Sequence, residues 1–105
     1  MATQRTDVRI SVPMEAVVEL CRRQGIRELA LFGSVLRDDF ADQSDVDMLV
    51  EFEDEFRHSM FSFFGIEQEL TGLIGRQVDL VEKGALHPII KDEVLASRRI
   101  VYVAA

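Results

Sequence analysis

The sequence contains no tryptophan, one cysteine and two prolines among 105 residues. A single cysteine excludes an internal disulfide and favours a cytoplasmic protein, with Cys21 predicted to lie on the buried face of a helix. Hydrophobic residues make up 48% of the chain, which is enough for one core. The length therefore predicts one domain that spans residues 1–105.

Basic residues are scarce relative to acidic ones. The chain has 12 Lys and Arg against 19 Asp and Glu, which gives a formal net charge of −7 and a pI of about 4.7. Such a balance argues against direct nucleic-acid binding, because a phosphate backbone is normally met by a basic surface. It favours a cation-binding site or a basic partner.

Long apolar runs are also missing. No segment approaches the roughly 18–20 apolar residues that cross a bilayer, and residues 1–7 lack the apolar stretch of a signal peptide. We therefore expect a cytoplasmic protein without a membrane contact.

Apolar periodicity predicts helices and strands in alternation, without an internal repeat or linker. The first seven residues are predicted to be a loose end, and residues 100–103 either a short final strand or a docking segment. The order indicates an α/β (α+β) fold, a short mixed β-sheet packed with helices. The predicted helices run from Pro13 to Gly25, over residues 59–74 and from Pro88 to about Ser97, and the predicted strands cover residues 27–32, 45–52 and 76–82.

Carboxylates occur where a strand should be apolar. Asp45 and Asp47 are two residues apart in the predicted strand 45–52, so they share a face with Cα atoms roughly 6.5 Å apart. Asp79, which alternates with Val78 and Leu80 in the next strand, would join them if the two strands are neighbours. Three carboxylates on one face suit one or two Mg²⁺ ions. A solvated acidic strand face is the alternative interpretation.

Gly33 and Ser34 interrupt the first predicted strand, and Arg37 follows one helical turn later. A Gly-Ser turn can offer backbone N–H groups and a hydroxyl to a phosphate, and an arginine can hold a phosphate oxygen. Arg37 has a second interpretation, a surface ion pair with Asp38, Asp39 or Asp42. These parts together suit metal-assisted nucleotidyl transfer, in which catalysis is mostly positioning and charge neutralisation.

Gly33-Ser34, followed after ten residues by Asp45-Val46-Asp47, resembles the signature of the DNA polymerase β nucleotidyltransferase superfamily. The whole chain is similar to its smallest branch, the minimal nucleotidyltransferases. The resemblance implies that Asp45, Asp47 and Asp79 bind two Mg²⁺ ions and form the catalytic set. It also implies that Gly33, Ser34 and Arg37 bind the nucleotide.

The resemblance further implies a function and a partner. Members of this branch pair with a small helical HEPN protein, an RNase toxin, and silence it by transferring AMP from ATP to a tyrosine hydroxyl. The chain would then be an antitoxin and a protein adenylyltransferase. Two alternatives remain: an antitoxin that acts by complex formation alone, and a nucleotide-sensing subunit. Because no acceptor domain is evident, a partner or a second copy must complete the site.

Two features depart from the pattern or stay open. Asp38 and Asp39 follow Arg37, where many relatives have a small residue, so they either weaken nucleotide binding or face solvent. Phe61, Phe63 and Phe64 cannot all face one core, so they indicate either a partner or dimer surface or a cluster covered by loops.

Overall fold

The computed structural model describes residues 3–5, 10–37 and 44–105. Asp38, Asp39 and Asp42, which bear on the interpretation of Arg37, lie outside the described residues. The strands and helices are β1 (Thr3–Arg5), β2 (Ser11–Pro13), α1 (Met14–Gln24), β3 (Ile26–Phe32), β4 (Val46–Phe52), α2 (Met60–Ile74), β5 (Val78–Glu82), α3 (Pro88–Ser97) and β6 (Arg99–Val103).

A four-stranded mixed sheet has the order β5-β4-β3-β6. β4 and β5 run parallel, joined by α2, while β3 pairs antiparallel with both β4 and β6. The predicted mixed sheet packed with helices is therefore confirmed, and so is a final strand at the C-terminal end. The loose end predicted for the first seven residues is wrong for Thr3–Arg5, which pair with Ser11–Pro13. Three-residue strands are held by backbone bonds and carry too few side chains for a readable period.

The two faces of the sheet are covered unequally. One face packs against α1 and α2, and the other packs mainly against α3. The larger cluster takes Val46, Met48 and Val50 from β4, whereas Leu49 points to the α3 side. This alternation is the one predicted from the sequence, because successive strand residues point to opposite faces.

Glycines end the first two helices. Gly25 and Gly75 adopt φ values of 68° and 82° as left-handed caps of α1 and α2, a conformation that favours glycine. In α2, Phe63 packs against the core while Phe61 and Phe64 are exposed. The prediction that the three phenylalanines cannot share one core is confirmed.

The outer edge of β5 is closed by side chains of α2. The backbone N–H of Val78 donates to Thr71 Oγ1 at 3.0 Å, and that of Leu80 donates to Glu67 Oε2 at 2.8 Å. These two acceptors replace the neighbouring strand that an edge would otherwise attract.

Cys21 is fully buried in α1, as predicted. Burial raises the pKa of its thiol to about 12, because an apolar environment disfavours the thiolate. Within the part of the chain that the structure describes, every helix is too short or too polar to cross a membrane.

Candidate active site

The parallel pairing of β4 and β5 places Asp47 directly beside Asp79. Their neighbours Met48 and Leu80 belong to the main core, so the two aspartates lie on the opposite face of the sheet. Asp45 immediately precedes β4 rather than lying within it, and it is exposed. The strand adjacency that the sequence could only suppose is thus present.

Asp47 is the half-buried centre of this acidic group. Its pKa is raised, first by desolvation and then by the charges of Asp79 and Asp45, while Arg37 opposes the shift. Asp79, Asp45 and Arg37 are therefore each close enough to act on the Asp47 carboxylate. Among residues 10–37 and 44–105, no three His, Cys, Asp or Glu side chains form a ready metal-binding cluster, so the described arrangement is a pair, Asp47 and Asp79, with Asp45 beside it.

The Gly-Ser turn lies against Asp47. β3 ends at Phe32, which pairs with Asp47 across the sheet, and a single 3₁₀ turn covers Gly33–Leu36. Gly33 has φ of 79°, and a Cβ built on it would stand 2.4 Å from Oδ2 of Asp47. The buried side chain of Val35 anchors the turn. The turn ends with a hydrogen bond from the Arg37 backbone N–H to the Ser34 carbonyl, at 2.9 Å.

The segment that carries Asp45 is held by residues outside the sequence motifs described above. Arg76 Nη2 donates to the Ser44 carbonyl at 3.1 Å, and the Val46 N–H donates to the Gln77 carbonyl at 2.8 Å. Asp45 is thus held from both sides by the chain that leads into β5. An arginine just before a strand gives no sequence signal for this role, because the contact spans 32 positions.

A cleft of about 550 Å³ opens beside the aspartates, here called the α3 cleft. Gly33, Arg37 and Asp47 line one side of it, and Arg99 also borders it. The volume lies within the range of small-molecule sites, about 300–1,000 Å³. The opposite wall comes from one face of α3, with Ile90, Glu93, Val94 and Ser97.

Other polar residues outside the acidic group have structural roles. Glu51 pairs with Arg27 at 3.4 Å and with Lys83 at 3.3 Å, so it belongs to an ion-pair network at the other end of β4. His58 bridges Ser62 Oγ, at 2.7 Å, and the Gln24 carbonyl, at 2.8 Å.

His87 caps α3 by accepting from the Ile89 N–H at 3.1 Å. Both histidines thus have structural partners.

Residues 14–101 match the nucleotidyltransferase domain family, and the chain belongs to this family. The match confirms the predicted enzyme class, and the fold described above is the one expected for it. The sequence is 44% identical over 85 residues to the protein adenylyltransferase MntA of Thermococcus cleftensis, covering 81% of this chain and 82% of that protein.

Solved structures agree with this assignment. A structure described as a minimal nucleotidyltransferase is 35% identical, with a TM-score of 0.67 over 81% of this chain and 85% of its own. An MNT antitoxin in complex with a tri-AMPylated HEPN toxin of Shewanella oneidensis has a TM-score of 0.62, covering 87% of this chain and 70% of its own. The latter is 19% identical and shows a shared fold.

Proposed function

We propose that this protein is a Mg²⁺-dependent adenylyltransferase that transfers AMP from ATP to a tyrosine hydroxyl of a HEPN toxin and so acts as its antitoxin. The observation that carries the proposal is the alignment of Asp47 with Asp79 beside the Gly33 turn. The 44% identity to a protein adenylyltransferase supports the reaction class. The AMPylated HEPN toxin in complex with a related fold supports the partner.

The carboxylates suit the metal that this reaction uses. Asp47 is half-buried, and its pKa is raised first by desolvation and then by the charges of Asp79 and Asp45. Hard oxygen ligands of this kind are those that Mg²⁺ prefers. Asp45, Asp47 and Asp79 would hold the metal, with two ions expected. When bound, Mg²⁺ neutralises phosphate charge and orients the α-phosphate.

The Gly-Ser turn is the proposed phosphate site. With no side chain on Gly33, a triphosphate can approach the backbone next to Asp47, and Ser34 adds a hydroxyl. Arg37, whose charge reaches Asp47, would bind a phosphate oxygen. Together these groups would position ATP so that its α-phosphate faces the carboxylates.

Asp79 is the proposed general base. In the transfer, the tyrosyl oxygen forms a bond to the α-phosphorus, the bond from that phosphorus to the α–β bridging oxygen breaks, and pyrophosphate leaves. The hydroxyl proton passes to the Asp79 carboxylate, which is exposed and can release it to water. An exposed base also lets the acceptor side chain of a separate protein reach the site.

The test is a transfer assay with the purified protein, its HEPN partner, Mg²⁺ and ATP labelled at the α-phosphate. We expect label on the partner and one AMP mass increment for each modified tyrosine. A double variant, Asp45→Asn with Asp47→Asn, should form the complex but transfer no label. The control is Asp54→Asn, an exposed acid beyond the far end of β4, which should transfer normally.

Three outcomes would overturn the proposal. A stable complex without label would show an antitoxin that acts by binding alone, and label that persists in the double variant would show that the carboxylates do not carry the reaction. Nucleotide binding without either complex or label would indicate a nucleotide-sensing subunit.

A further inference from the structure

We propose that the α3 cleft is the adenine subsite and that the carboxylate of Glu93 accepts a hydrogen bond from the 6-amino group of the base. The inference rests on the proposed function, since it places the base of the same ATP molecule. It assigns to α3 the recognition of the nucleotide, whereas the strands and the Gly33 turn hold its phosphates.

The cleft is continuous with the proposed phosphate site. Gly33, Arg37 and Asp47 form one of its walls, so a nucleotide whose phosphates contact these residues has its remaining part at or inside the cleft. Its volume of about 550 Å³ can hold a nucleoside. Asp79 does not line the cleft, which leaves the acceptor side of the site separate from it.

One face of α3 supplies the opposite wall. Ile90, Glu93, Val94 and Ser97 follow the spacing i, i+3, i+4 and i+7, which puts them on one side of a helix. Val94 is buried against the sheet, whereas Ile90 is 42% exposed at the opening. With Phe32, which also lines the cleft, these apolar side chains suit the flat faces of a purine.

Glu93 is the polar side chain of this wall that can distinguish one nucleotide base from another. A carboxylate only accepts hydrogen bonds, so it fits the amino group of adenine and repels a phosphate. Ser97 directs its hydroxyl to the Glu93 carbonyl at 2.8 Å, so that hydroxyl proton is engaged within the helix. Arg37 and Arg99 are the cations that line the cleft, and Glu93 is the acid that α3 contributes to it. The base of ATP would therefore lie toward Glu93 and its phosphates toward the arginines.

The test measures nucleotide affinity by calorimetry in the presence of Mg²⁺, without a partner protein. Two ligands are compared: ATP and purine riboside triphosphate, which lacks the 6-amino group. Glu93→Ala should weaken ATP binding by about 10-fold or more, the scale of a hydrogen bond to a charged group. It should leave the affinity for purine riboside triphosphate unchanged.

Asp92→Ala is the matched control. Asp92 is an acid on the same helix, exposed as Glu93 is, but it does not line the cleft. Its removal changes the net charge equally and should affect neither ligand. Circular dichroism of each variant checks that α3 is intact.

Three results would overturn the inference. The first is an equal loss for both ligands or no loss for either. The second is a Glu93 effect that disappears with 2′-deoxyATP, because the carboxylate would then hold the ribose. The third is unchanged nucleotide affinity with a raised KM for the partner protein, because the cleft would then receive the acceptor. ATP binding that depends on Glu93 without AMP transfer would instead overturn only the proposed function.

Discussion

Gly33 lies so close to Asp47 that a Cβ on the glycine would stand 2.4 Å from the aspartate Oδ2. No real side chain occupies such a position, so either the carboxylate or the turn would have to move. The backbone at Gly33 also has φ of 79°, where other residues are strained. This glycine therefore sets both the shape of the turn and the place of the carboxylate.

Gly33→Ala should lower AMP transfer by about 100-fold or more, since a displacement of about 1 Å at a reacting centre can cost that much. It should also reduce the free energy of unfolding by about 1–2 kcal/mol, the cost of a left-handed residue with a Cβ. Transfer is measured with labelled ATP, and stability by urea denaturation.

Gly75→Ala separates the two effects. Gly75 has a similar φ of 82°, but a Cβ there meets no atom within 4 Å. The Gly75→Ala variant should lose a comparable free energy of unfolding while it keeps the wild-type rate of AMP transfer. Equal losses of transfer in both variants would mean that strain, rather than the contact with Asp47, accounts for the effect.

Asp47→Asn should abolish AMP transfer. In this variant, Mg²⁺ should also no longer raise the free energy of unfolding. For the wild-type protein, a Mg²⁺ concentration about ten times the Kd should raise the free energy of unfolding by about 1.4 kcal/mol. The variant should lack this gain, because it lacks the charged ligand. Thermal melts with Mg²⁺ and with EDTA provide the measurement, and a variant that still gained stability from Mg²⁺ would exclude Asp47 as a ligand.

The pH dependence follows from the raised pKa of Asp47. In the metal-free protein, protonated Asp47 is favoured by folding, so its contribution to stability is present below the ordinary pKa and lost as pH rises through the raised value. Mg²⁺ binding should show the opposite trend and weaken as pH falls through that value. In the same titration series, Asp47→Asn should lose the contribution of Asp47 to the stability profile and show no Mg²⁺ binding at any pH.

Arg76→Ala should reduce transfer by about 10- to 100-fold, the usual effect of losing a group that orients metal ligands. The bond from Arg76 to the Ser44 carbonyl holds the segment that carries Asp45, and its loss should raise the Mg²⁺ concentration needed for half-maximal rate. Arg57→Ala removes the same charge from an exposed residue and should not change that concentration. An identical Mg²⁺ requirement in wild type and Arg76→Ala would refute the positioning role.

Much of the candidate site could be predicted, because the patterns that indicate it lie within short stretches of the sequence. The alternation of Val46, Met48 and Val50 predicts the face on which Asp47 lies. The Gly-Ser pair that follows β3 predicts the turn. The adjacency of Asp79 was a supposition, since strand order depends on long-range pairing that a single strand does not encode. Asp45 was placed inside the strand, although β4 begins at Val46.

Other elements of the site could not be read from the sequence at all. Arg76 acts through a carbonyl 32 residues away, and Glu93 reaches the cleft only because α3 crosses the sheet beside Phe32. Neither residue belongs to a motif. Their positions are consequences of packing, which becomes visible only when the helices are in place.

Glu67→Ala should destabilise the fold by about 1–3 kcal/mol, because the Leu80 N–H would lose its acceptor at a largely buried position. Glu69→Ala on the same helix removes only an exposed ion pair with Arg23 and should change stability little, because solvent screens such pairs. Urea denaturation compares the two. Light scattering should also show self-association of Glu67→Ala alone, since the edge of β5 becomes available for pairing; equal behaviour of the two variants would argue against this protection.

The single cysteine of the chain is buried on the inner face of α1, and its thiol stays protonated at any physiological pH. Oxidants and alkylating agents react with exposed thiolates, so the native protein offers them no sulfhydryl target. Modification of Cys21 should therefore require the opening of α1, so that a thiol reagent would report on unfolding of this protein rather than on its activity.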